Sequence, residues 1–436
     1  MILESTLVLF ITFFFLLFVG VPISVGIGVA SIITALFHFD FSMFAFLAAQ
    51  RAFSGIDSFA LLALPFFILA GNIMNKGGIA KRLVRLARYM VGWIPGYLAA
   101  TNVVANMLFG AISGSSIAAA SAMGSIMGPL EKEEGYDENY SAAVNICSAP
   151  TGIIIPPSGP MILYALTAGG VSVAALFMAG YIPGILLGLS VMSVAVFMAK
   201  KRGYTAAKGK AEGTFIGALL GAIPPLMAIV IVMFGIIGGW FTPTEAGVVA
   251  VLYCTLLAII YREVTIKDFY NMLADTMITS AMILFLIAAS SVMAWIMSFT
   301  GIPGAISQML MSISDNRIVI LLIINLFLLV MGMFLDLTPA VLIFTPIFLP
   351  IVTSLGMSPV HFGIMFIMNM GIGNVTPPVG SVLFVGCSIA GVRIEGVTKY
   401  IVPMFIAMVL ALMLVTFIPE LSLFLPYLSD LVPAMR

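Results

Sequence analysis

The sequence predicts an all-α polytopic membrane protein built from two inverted repeats, and three observations lead to this fold class. Of the 436 residues, 62% are hydrophobic and only 8% are charged, whereas a soluble domain carries roughly 25% charged residues. The mean hydropathy is +1.21, and at about 20 apolar residues per span the chain has room for on the order of ten crossings. Glycines and prolines also recur in register between two long stretches of the chain.

This composition excludes several function classes. A chain so poor in charge cannot cover a water-facing surface, which excludes a soluble enzyme and a secreted disulfide scaffold. The formal net charge is +0, so no nucleic acid or other polyanionic partner is indicated. Cys147, Cys254 and Cys387 lie far apart, without the spacing of a metal or redox site. Residues 2–37 are too long an apolar run for a cleavable signal peptide and have no basic leader.

Basic residues set the predicted topology. Ten of the 18 Lys and Arg residues occur in two short clusters beside apolar runs, and such clusters face the cytoplasm. Spacing in the first cluster puts Lys81, Arg85 and Arg88 on one helical face, which predicts either an amphipathic helix on the membrane surface or a plain positive loop. The clusters are Lys76, Lys81, Arg82, Arg85 and Arg88, and Lys200, Lys201, Arg202, Lys208 and Lys210.

The first half of the chain predicts a helical hairpin followed by a span with a break. Gly20-Val21-Pro22 is a candidate break in the N-terminal apolar stretch. Residues 93–130 are predicted to enter the membrane and return, with a turn at residues 113–116. The charged residues 131–138 then lie in the cytoplasm, residues 140–167 cross outward, and residues 171–198 return to Lys200.

The second half predicts the same kinds of element. Three further spans precede a second hairpin that turns at Asp336-Leu337-Thr338-Pro339, and two spans follow it. The predicted spans are residues 215–239, 245–261 and 276–299, the hairpin is 318–351, and the last spans are 361–392 and 400–417.

The two hairpin regions match each other along the chain. Residues 109–170 overlay residues 330–391 at a constant spacing of 221. Because the loop after the first hairpin is predicted inside and its counterpart outside, the repeats are predicted to be inverted. Inverted repeats with Gly/Pro-interrupted segments are typical of secondary transporters. The matched positions are Pro129 and Pro350, Gly135 and Gly356, Gly152 and Gly373, Pro156-Pro157 and Pro377-Pro378, Gly159 and Gly380, and Gly170 and Gly391.

Two paired prolines interrupt equivalent spans, in the segments 152–159 (GIIIPPSG) and 373–380 (GNVTPPVG). Each proline removes a backbone donor and clashes with the preceding turn. The segments are therefore predicted to unwind in mid-span and to free carbonyl groups, which survive in a membrane only when buried or lining a site. The alternative is a simple proline kink.

The hairpin tips complete a predicted cation- and substrate-binding region. The first tip carries serine hydroxyls and the second carries Asp336, which is predicted to bind a cation or to cap a half-helix, with proton transfer as the alternative. A proton relay usually needs several buried acidic or histidine groups, and these segments have almost none. Carbonyl and hydroxyl oxygens suit Na⁺, and half-helix N-termini suit an anionic substrate; close helix packing is the alternative reading of the small residues. The region comprises Ser113, Gly114, Ser115, Ser116, Pro150, Thr151, Gly152, Pro156, Pro157, Ser158, Asp336, Leu337, Thr338, Gly373, Asn374, Thr376, Pro377 and Pro378.

No catalytic constellation is evident in the sequence. There is no phosphate-binding Walker loop, no His/Cys metal cluster and no nucleophile beside a base. We therefore expect neither an enzyme nor an ATP-driven pump.

Four segments of the sequence resemble the large membrane subunit of TRAP (tripartite ATP-independent periplasmic) transporters. They are Phe241-Thr-Pro-Thr-Glu-Ala-Gly247, Thr376-Pro-Pro-Val-Gly-Ser-Val-Leu-Phe384, Gly332-Met-Phe-Leu-Asp336 and Ala179-Gly-Tyr-Ile-Pro-Gly184. The resemblance implies an elevator-type transporter with two re-entrant hairpins and two broken helices, in the bacterial inner membrane. It also implies a small four-helix membrane subunit, here a separate chain, and a periplasmic binding protein that delivers the substrate.

The resemblance further implies Na⁺-driven uptake of an organic acid such as sialic acid, a four-carbon dicarboxylate or a sugar acid. A stand-alone Na⁺/dicarboxylate carrier with the same repeat plan is the alternative. Five regions are expected: N-terminal scaffold helices and arm (1–88), the first transport repeat (89–199), a cytoplasmic loop with central scaffold helices (200–275), the second, inverted repeat (276–399) and a C-terminal helix (400–436).

Overall fold

The computed structural model describes residues 2–206, 214–314 and 316–432, and these residues form helices and connecting turns without a β-strand. Lys208 and Lys210 of the second basic cluster lie outside the described residues. Within the described ranges, eight helices are long and apolar enough to cross a bilayer, or nine when one bent pair is counted as a span. The chain is therefore a polytopic all-α membrane protein, as predicted.

The helices, in chain order, are α1 (Ile2–Phe18), α2 (Ile23–Ala35), α3 (Phe41–Ile56), a 3₁₀ turn (Phe59–Leu62), α4 (Ala63–Lys76), α5 (Ile79–Val91), α6 (Tyr97–Ser113), α7 (Ser116–Glu133), α8 (Glu138–Ser148), α9 (Thr151–Ile154), α10 (Gly159–Ala168), α11 (Val173–Lys201), α12 (Phe215–Ile237), α13 (Pro243–Tyr261), α14 (Ile266–Thr300), α15 (Ile302–Ile313), α16 (Arg317–Phe334), α17 (Leu337–Ser354), α18 (Pro359–Gly373), α19 (Ser381–Ala390), α20 (Ile394–Phe417) and α21 (Glu420–Leu428).

Polar residues at the predicted breaks begin several of these helices. The Ser115 hydroxyl accepts from the Ala118 N–H at 3.3 Å and so caps α7. The Asp137 carboxylate accepts from the Tyr140 N–H at 3.0 Å and caps α8. Thr242 and Glu245 form a reciprocal capping box at the start of α13, where Pro243 needs no N–H partner. These side chains supply acceptors for N–H groups that the helix itself leaves without partners.

The first basic cluster forms a helix rather than a loop. In α5, the apolar residues Ile79, Leu83, Leu86 and Val91 are buried, while Lys81 and Arg85 are exposed. The chain therefore adopts the amphipathic-helix alternative. The break predicted at Gly20-Val21-Pro22 is also present, because α1 ends before it and α2 begins after it.

The repeat spacing predicted from Gly and Pro is reproduced by the helix boundaries. α7 and α17 begin at Ser116 and Leu337, α8 and α18 begin at Glu138 and Pro359, and α11 and α20 begin at Val173 and Ile394. Each of these pairs is separated by the predicted 221 residues. The order of elements is also shared: a hairpin, a helix interrupted after its first part, a short second part, and a long helix.

Contacts at the two ends of the broken helices show that the repeats are inverted. The start of α8 lies beside the start of α20, because the Tyr400 hydroxyl donates to Asp137 Oδ2 at 3.1 Å. The far end of α10 lies beside the start of α18, where the Tyr164 hydroxyl donates to the Pro359 carbonyl at 2.7 Å. The first broken helix (α8 to α10) therefore begins at the end of the molecule where the second (α18 and α19) finishes. The second begins at the opposite end, where the first finishes.

Charged residues gather at one of these ends, as the topology predicts. Arg202 Nη1 lies 3.4 Å from Asp137 Oδ2, and its guanidinium lies over the Tyr400 ring at 4.5 Å. Burial disfavours the charged form of Asp137, but hydrogen bonds from Tyr140 and Tyr400 and the positive charge of Arg202 outweigh it and lower the pKa of Asp137. The charged loop after the first hairpin and the basic end of α11 thus share one face of the protein.

Some boundaries differ from the prediction. α14 begins at Ile266 rather than at residue 276, because Thr265 and Asp268 form a capping box and the helix continues through its charged first turns. Four helices were not predicted individually: α3, α4, α15 and α21. Their lengths of 16, 14, 12 and 9 residues fall short of a span, so apolar run length alone does not reveal them. Re-entry of the hairpins into the bilayer stays a prediction.

Candidate functional site

The first predicted break is present as four residues without helical structure. The helix ends at Ile154 and restarts at Gly159, with a bend of 47° between the two parts. The Pro156–Pro157 peptide bond is cis. The Ser158 hydroxyl donates to the Ile153 carbonyl at 2.6 Å, so this freed carbonyl is satisfied by a side chain within the break. The alternative of a simple proline kink in a continuous helix is therefore wrong here.

The second break is longer and folds back on its own hairpin. α18 ends at Gly373, and α19 begins at Ser381 after a cis Pro377–Pro378 bond. The Gly380 N–H donates to the Met333 carbonyl at 3.0 Å, which ties the break to the second hairpin. The Asn374 carbonyl accepts from the Val382 N–H at 3.2 Å. Backbone groups in the second break are thus partly satisfied across the turn and by the hairpin.

Each hairpin meets its break through a pair of glycines. A Cβ added to Gly152 would lie 2.6 Å from the Cα of Gly110, and one added to Gly373 would lie 2.5 Å from the Cα of Gly332. Both distances are shorter than a normal carbon–carbon contact. The backbones of hairpin and break therefore touch directly in both repeats, which places each tip beside its break.

Asp336 faces a cavity and does not cap its helix. It precedes α17, yet its side chain makes no capping bond to that helix. Its Oδ1 instead accepts from Asn374 Nδ2 at 3.1 Å and from the Ser381 hydroxyl at 3.4 Å. The capping alternative for Asp336 is therefore wrong, and the carboxylate links the second tip to the second break.

A cavity of about 690 Å³ lies between the two tips, the first break and the flanking helices α2, α4 and α14. Nine of the predicted site residues line it, and the remaining nine lie in or next to the two breaks without lining it. The lining residues are Ser113, Gly114, Ser115, Ser116, Pro157, Asp336, Leu337, Thr338 and Asn374. The others are Pro150, Thr151, Gly152, Pro156, Ser158, Gly373, Thr376, Pro377 and Pro378.

The wall opposite the tips carries polar residues that the sequence analysis missed. Asp275 and Thr279 of α14 and Asn72 of α4 line the cavity. Asn72 Nδ2 donates to Thr276 Oγ1 at 3.0 Å and joins the two helices behind this wall. The position of Asp275 beside a long apolar run could have indicated a site residue. The span was predicted to start at residue 276, however, so Asp275 was left in a loop.

The charge of the cavity is negative, and its helix ends are positive. Among its described lining residues, Asp275 and Asp336 are carboxylates and none is Lys, Arg or His. The N-terminal residues of α7, α10 and α17 also line it, and helix N-termini attract anions. In the described ranges no group of three or more His, Cys, Asp or Glu residues could hold a metal ion. A cation here would be held by carbonyls, hydroxyls and the Asp336 carboxylate.

A broken-helix cavity between inverted repeats is the architecture of a secondary transporter, and comparison with known proteins identifies the family. The family model of the tripartite ATP-independent periplasmic transporter, DctM component, matches residues 10–421. The chain belongs to this family. It is the large permease subunit of a TRAP transporter and a multi-pass protein of the bacterial inner membrane, not an enzyme.

Several curated relatives resemble this TRAP permease over nearly its whole length. The uncharacterized protein YgiK of Salmonella typhimurium is 49% identical, with 97% of each chain covered. The isethionate TRAP transporter permease protein DctMQ of Oleidesulfovibrio alaskensis is 39% identical over 96% of this chain and 66% of that protein. The sialic acid TRAP transporter large permease protein SiaM of Vibrio cholerae is 34% identical over 95% of this chain and 96% of its own.

The fold also resembles a solved membrane transporter. The YdaH transporter of Alcanivorax borkumensis has a TM-score of 0.65 and covers 88% of this chain and 91% of its own. Its sequence identity is 13%, so the likeness concerns the fold alone.

Proposed function

We propose that this TRAP permease is the translocating subunit of a Na⁺-coupled importer of organic acids that works by elevator-type alternating access. The observation that carries the proposal is the 690 Å³ cavity bounded by both hairpin tips and the first break. Its volume is within the range of small-ligand sites. One wall belongs to the hairpins and broken helices and the other to α2, α4 and α14, so movement of the hairpins and broken helices along that wall would expose the same site on either side.

The charges of the lining support coupling to a cation. An anionic substrate in this cavity would face Asp275 and Asp336 without a basic residue among the described lining residues. A bound Na⁺ beside Asp336 removes part of this repulsion and leaves the N-termini of α7, α10 and α17 to attract the substrate carboxylate. Import of a cation also draws on the membrane potential, which supplies about 2.3 kcal/mol per charge per 100 mV.

The proposed partners are a small membrane subunit on a separate chain and a periplasmic substrate-binding protein. The relatives named for isethionate and sialic acid support an organic acid as the substrate. The isethionate relative, DctMQ, joins M and Q in its name. The present chain covers 66% of that protein, which leaves room there for a second subunit. A stand-alone carrier is the second candidate, and it would transport without either partner.

Uptake into proteoliposomes that contain both membrane subunits and the binding protein tests the proposal. We expect removal of external Na⁺ to abolish uptake. Asp336→Asn keeps an acceptor oxygen for Asn374 but loses the negative charge. Attraction between two unit charges 4 Å apart is about 1 kcal/mol even in water. The Na⁺ concentration for half-maximal uptake should therefore rise about fivefold or more.

Asp57→Asn is the matched control, because Asp57 is exposed and lies outside the cavity. It should leave the Na⁺ response unchanged. Undiminished uptake without Na⁺, or an Asp336→Asn protein with the wild-type Na⁺ response, would contradict the proposed coupling. Transport by the isolated subunit would favour the stand-alone carrier.

A further inference from the structure

A second cavity, of about 330 Å³, lies away from the proposed transport site. It is bounded by α6, α7 and α8 of the first repeat and by α19 of the second, and its lining includes Asn102, Glu131, Ser141 and Gly386. Lys132 and Glu138 also line it and pair with each other at 2.8 Å. Because Asp137 next to Glu138 pairs with Arg202, the cavity lies at the end of the protein that is predicted to face the cytoplasm.

Glu131 is the unusual residue of this cavity. It is 1% exposed, and within the described residues it is the only buried Asp or Glu. Its carboxylate accepts a hydrogen bond from Asn102 Nδ2 at 3.3 Å. The neighbouring cation Lys132 pairs with Glu138 instead, so no described basic residue forms an ion pair with Glu131. Burial of an ionised carboxylate without a partner cation is unfavourable.

The surroundings of Glu131 suit a neutral carboxyl group. Glu131 lies in the last turn of α7, where the helix dipole is negative and disfavours a carboxylate. Ser141 is 6% exposed, lines the same cavity, and its hydroxyl oxygen has no hydrogen-bond partner. A protonated carboxyl offers one O–H donor while its other oxygen still accepts from Asn102. Ser141 thus offers an oxygen that can accept from a protonated Glu131, and Asn102 donates to the other oxygen of the neutral carboxyl group.

We propose that Glu131 is a proton-binding site of this TRAP permease, and that it exchanges its proton with the cytoplasm through the cavity between α7, α8 and α19. A proton from water binds one carboxylate oxygen and gives a neutral carboxyl group. The reverse step returns the proton to water when the cavity opens and hydrates the carboxylate. Since α19 belongs to the second repeat, the packing of the two repeats against each other controls access to the proton.

The other titratable groups near this cavity have partners, are exposed to solvent or remain neutral. Arg88 Nη2 lies 3.4 Å from the Tyr97 hydroxyl, which donates to Glu134 at 3.1 Å. α19 contributes Gly386, Ile389 and Ala390 to the lining, and none of these titrates. The remaining groups on the packed elements are Lys132 with Glu138, Lys76 with Asp268, Arg82 with Glu263, exposed Lys81 and Arg85 on α5, exposed Glu133 on α7, and the buried residues Tyr136, Tyr140, Cys147 and Cys387.

Infrared spectroscopy of the purified protein tests the protonation directly. We expect the wild type near neutral pH to show the carbonyl stretch of a buried carboxylic acid, which decreases as the pH is raised through roughly pH 8 to 9, where buried glutamates titrate. Glu131→Gln should lose this signal. Glu133→Gln, an exposed position on the same helix, should keep it. This measurement needs only folded protein, so its result is separable from failure of Na⁺ coupling.

Three infrared outcomes would overturn the proposal. They are absence of a protonated-carboxyl signal in the wild type near neutral pH, persistence of the signal in Glu131→Gln, and loss of the signal on addition of Na⁺ at fixed pH. The last result would assign the cavity to a metal cation instead. The wild-type spectrum alone shows whether a protonated carboxyl group is present. The proposal can therefore be refuted even if Glu131→Gln does not fold.

Uptake by the complete transporter tests the exchange with the cytoplasm. External pH and Na⁺ are held constant while the internal pH of the proteoliposomes is varied. Wild type and Glu133→Gln should change their uptake rate with internal pH, and Glu131→Gln, which mimics the neutral carboxyl, should not. Identical internal-pH profiles for wild type and Glu131→Gln would overturn the exchange.

Discussion

A single methyl group at Gly152 tests whether the contact between the first hairpin and the first break is as close as the structure shows. The Cβ of Gly152→Ala would lie 2.6 Å from the Gly110 Cα and 3.3 Å from the Gly110 carbonyl carbon. Carbon atoms pack at about 3.5–4.0 Å, so the two backbones must separate by about 1 Å. Overpacking of this kind costs about 1–3 kcal/mol. Neither atom belongs to a flexible side chain that could move aside.

The assay is the thermal unfolding midpoint of the purified protein. Gly152→Ala should unfold at a lower temperature than wild type, and Gly373→Ala should behave alike because its Cβ would lie 2.5 Å from the Gly332 Cα. Gly128→Ala is the control: nothing lies within 4 Å of the added Cβ in α7, and alanine gains about 1 kcal/mol of helix propensity. A midpoint for Gly152→Ala at or above the wild-type value would show that hairpin and break are not in backbone contact.

Two further predictions concern the charged face and the orientation of the repeats. Arg202→Ala removes the partly exposed pair with Asp137 and the stacking on Tyr400, so stability near neutral pH should fall by about 1–2 kcal/mol in thermal or denaturant unfolding. The pKa of Asp137 is lowered in the folded protein. The stabilisation by the Arg202–Asp137 pair is therefore complete above the pKa that Asp137 has in the unfolded chain, and it is lost as the pH falls through the pKa of the folded protein. If Arg202→Ala lowered the stability by the same amount in strong acid, this explanation would be wrong. Glu133 and Ser354 are exposed and occupy equivalent positions in the two repeats. A membrane-impermeant thiol reagent should therefore label Glu133→Cys from the cytoplasm and Ser354→Cys from the periplasm. Labelling of both cysteines from the same side would exclude the inversion.

The repeat and its breaks were predictable because Gly and Pro act on the backbone locally. Pro156 and Pro377 have no N–H to donate, which weakens a helix at their positions. Pro224 and Pro225, however, lie inside the uninterrupted helix α12, so a proline pair alone does not decide where a helix breaks. The start of α7 could be read from Ser115 for a similar reason, because serine often caps a helix and does so here. Local backbone rules located the breaks only together with the 221-residue repeat, which matches Pro156-Pro157 with Pro377-Pro378.

The role of each acidic residue could not be predicted in the same way, because it depends on distant contacts. Glu131 was assigned to an exposed loop by its neighbours Lys132 and Glu133, yet it is buried against Asn102 and Ser141. Asp275 was treated as a boundary of the membrane, whereas α14 continues through it and brings it to the cavity wall. Asp336 was expected to cap a helix or bind a cation, and its partner Asn374 comes from the second break.

The two repeats share a buried amide contact but differ at the position of Glu131, and this difference has a consequence for sidedness. Asn106 Nδ2 donates to the Ser148 hydroxyl at 2.9 Å, and the counterpart of Ser148, Asn369, donates to Asn325 Oδ1 at 2.8 Å. Both contacts tie a hairpin to its broken helix. At the 221-residue spacing, however, Glu131 corresponds to the buried Val352, which cannot titrate. Because the repeats are inverted, equivalent carboxylates would face opposite compartments and respond to pH on both sides. One carboxylate responds to one compartment only, so the proposed proton site distinguishes the cytoplasmic half of the transport cycle from the periplasmic half.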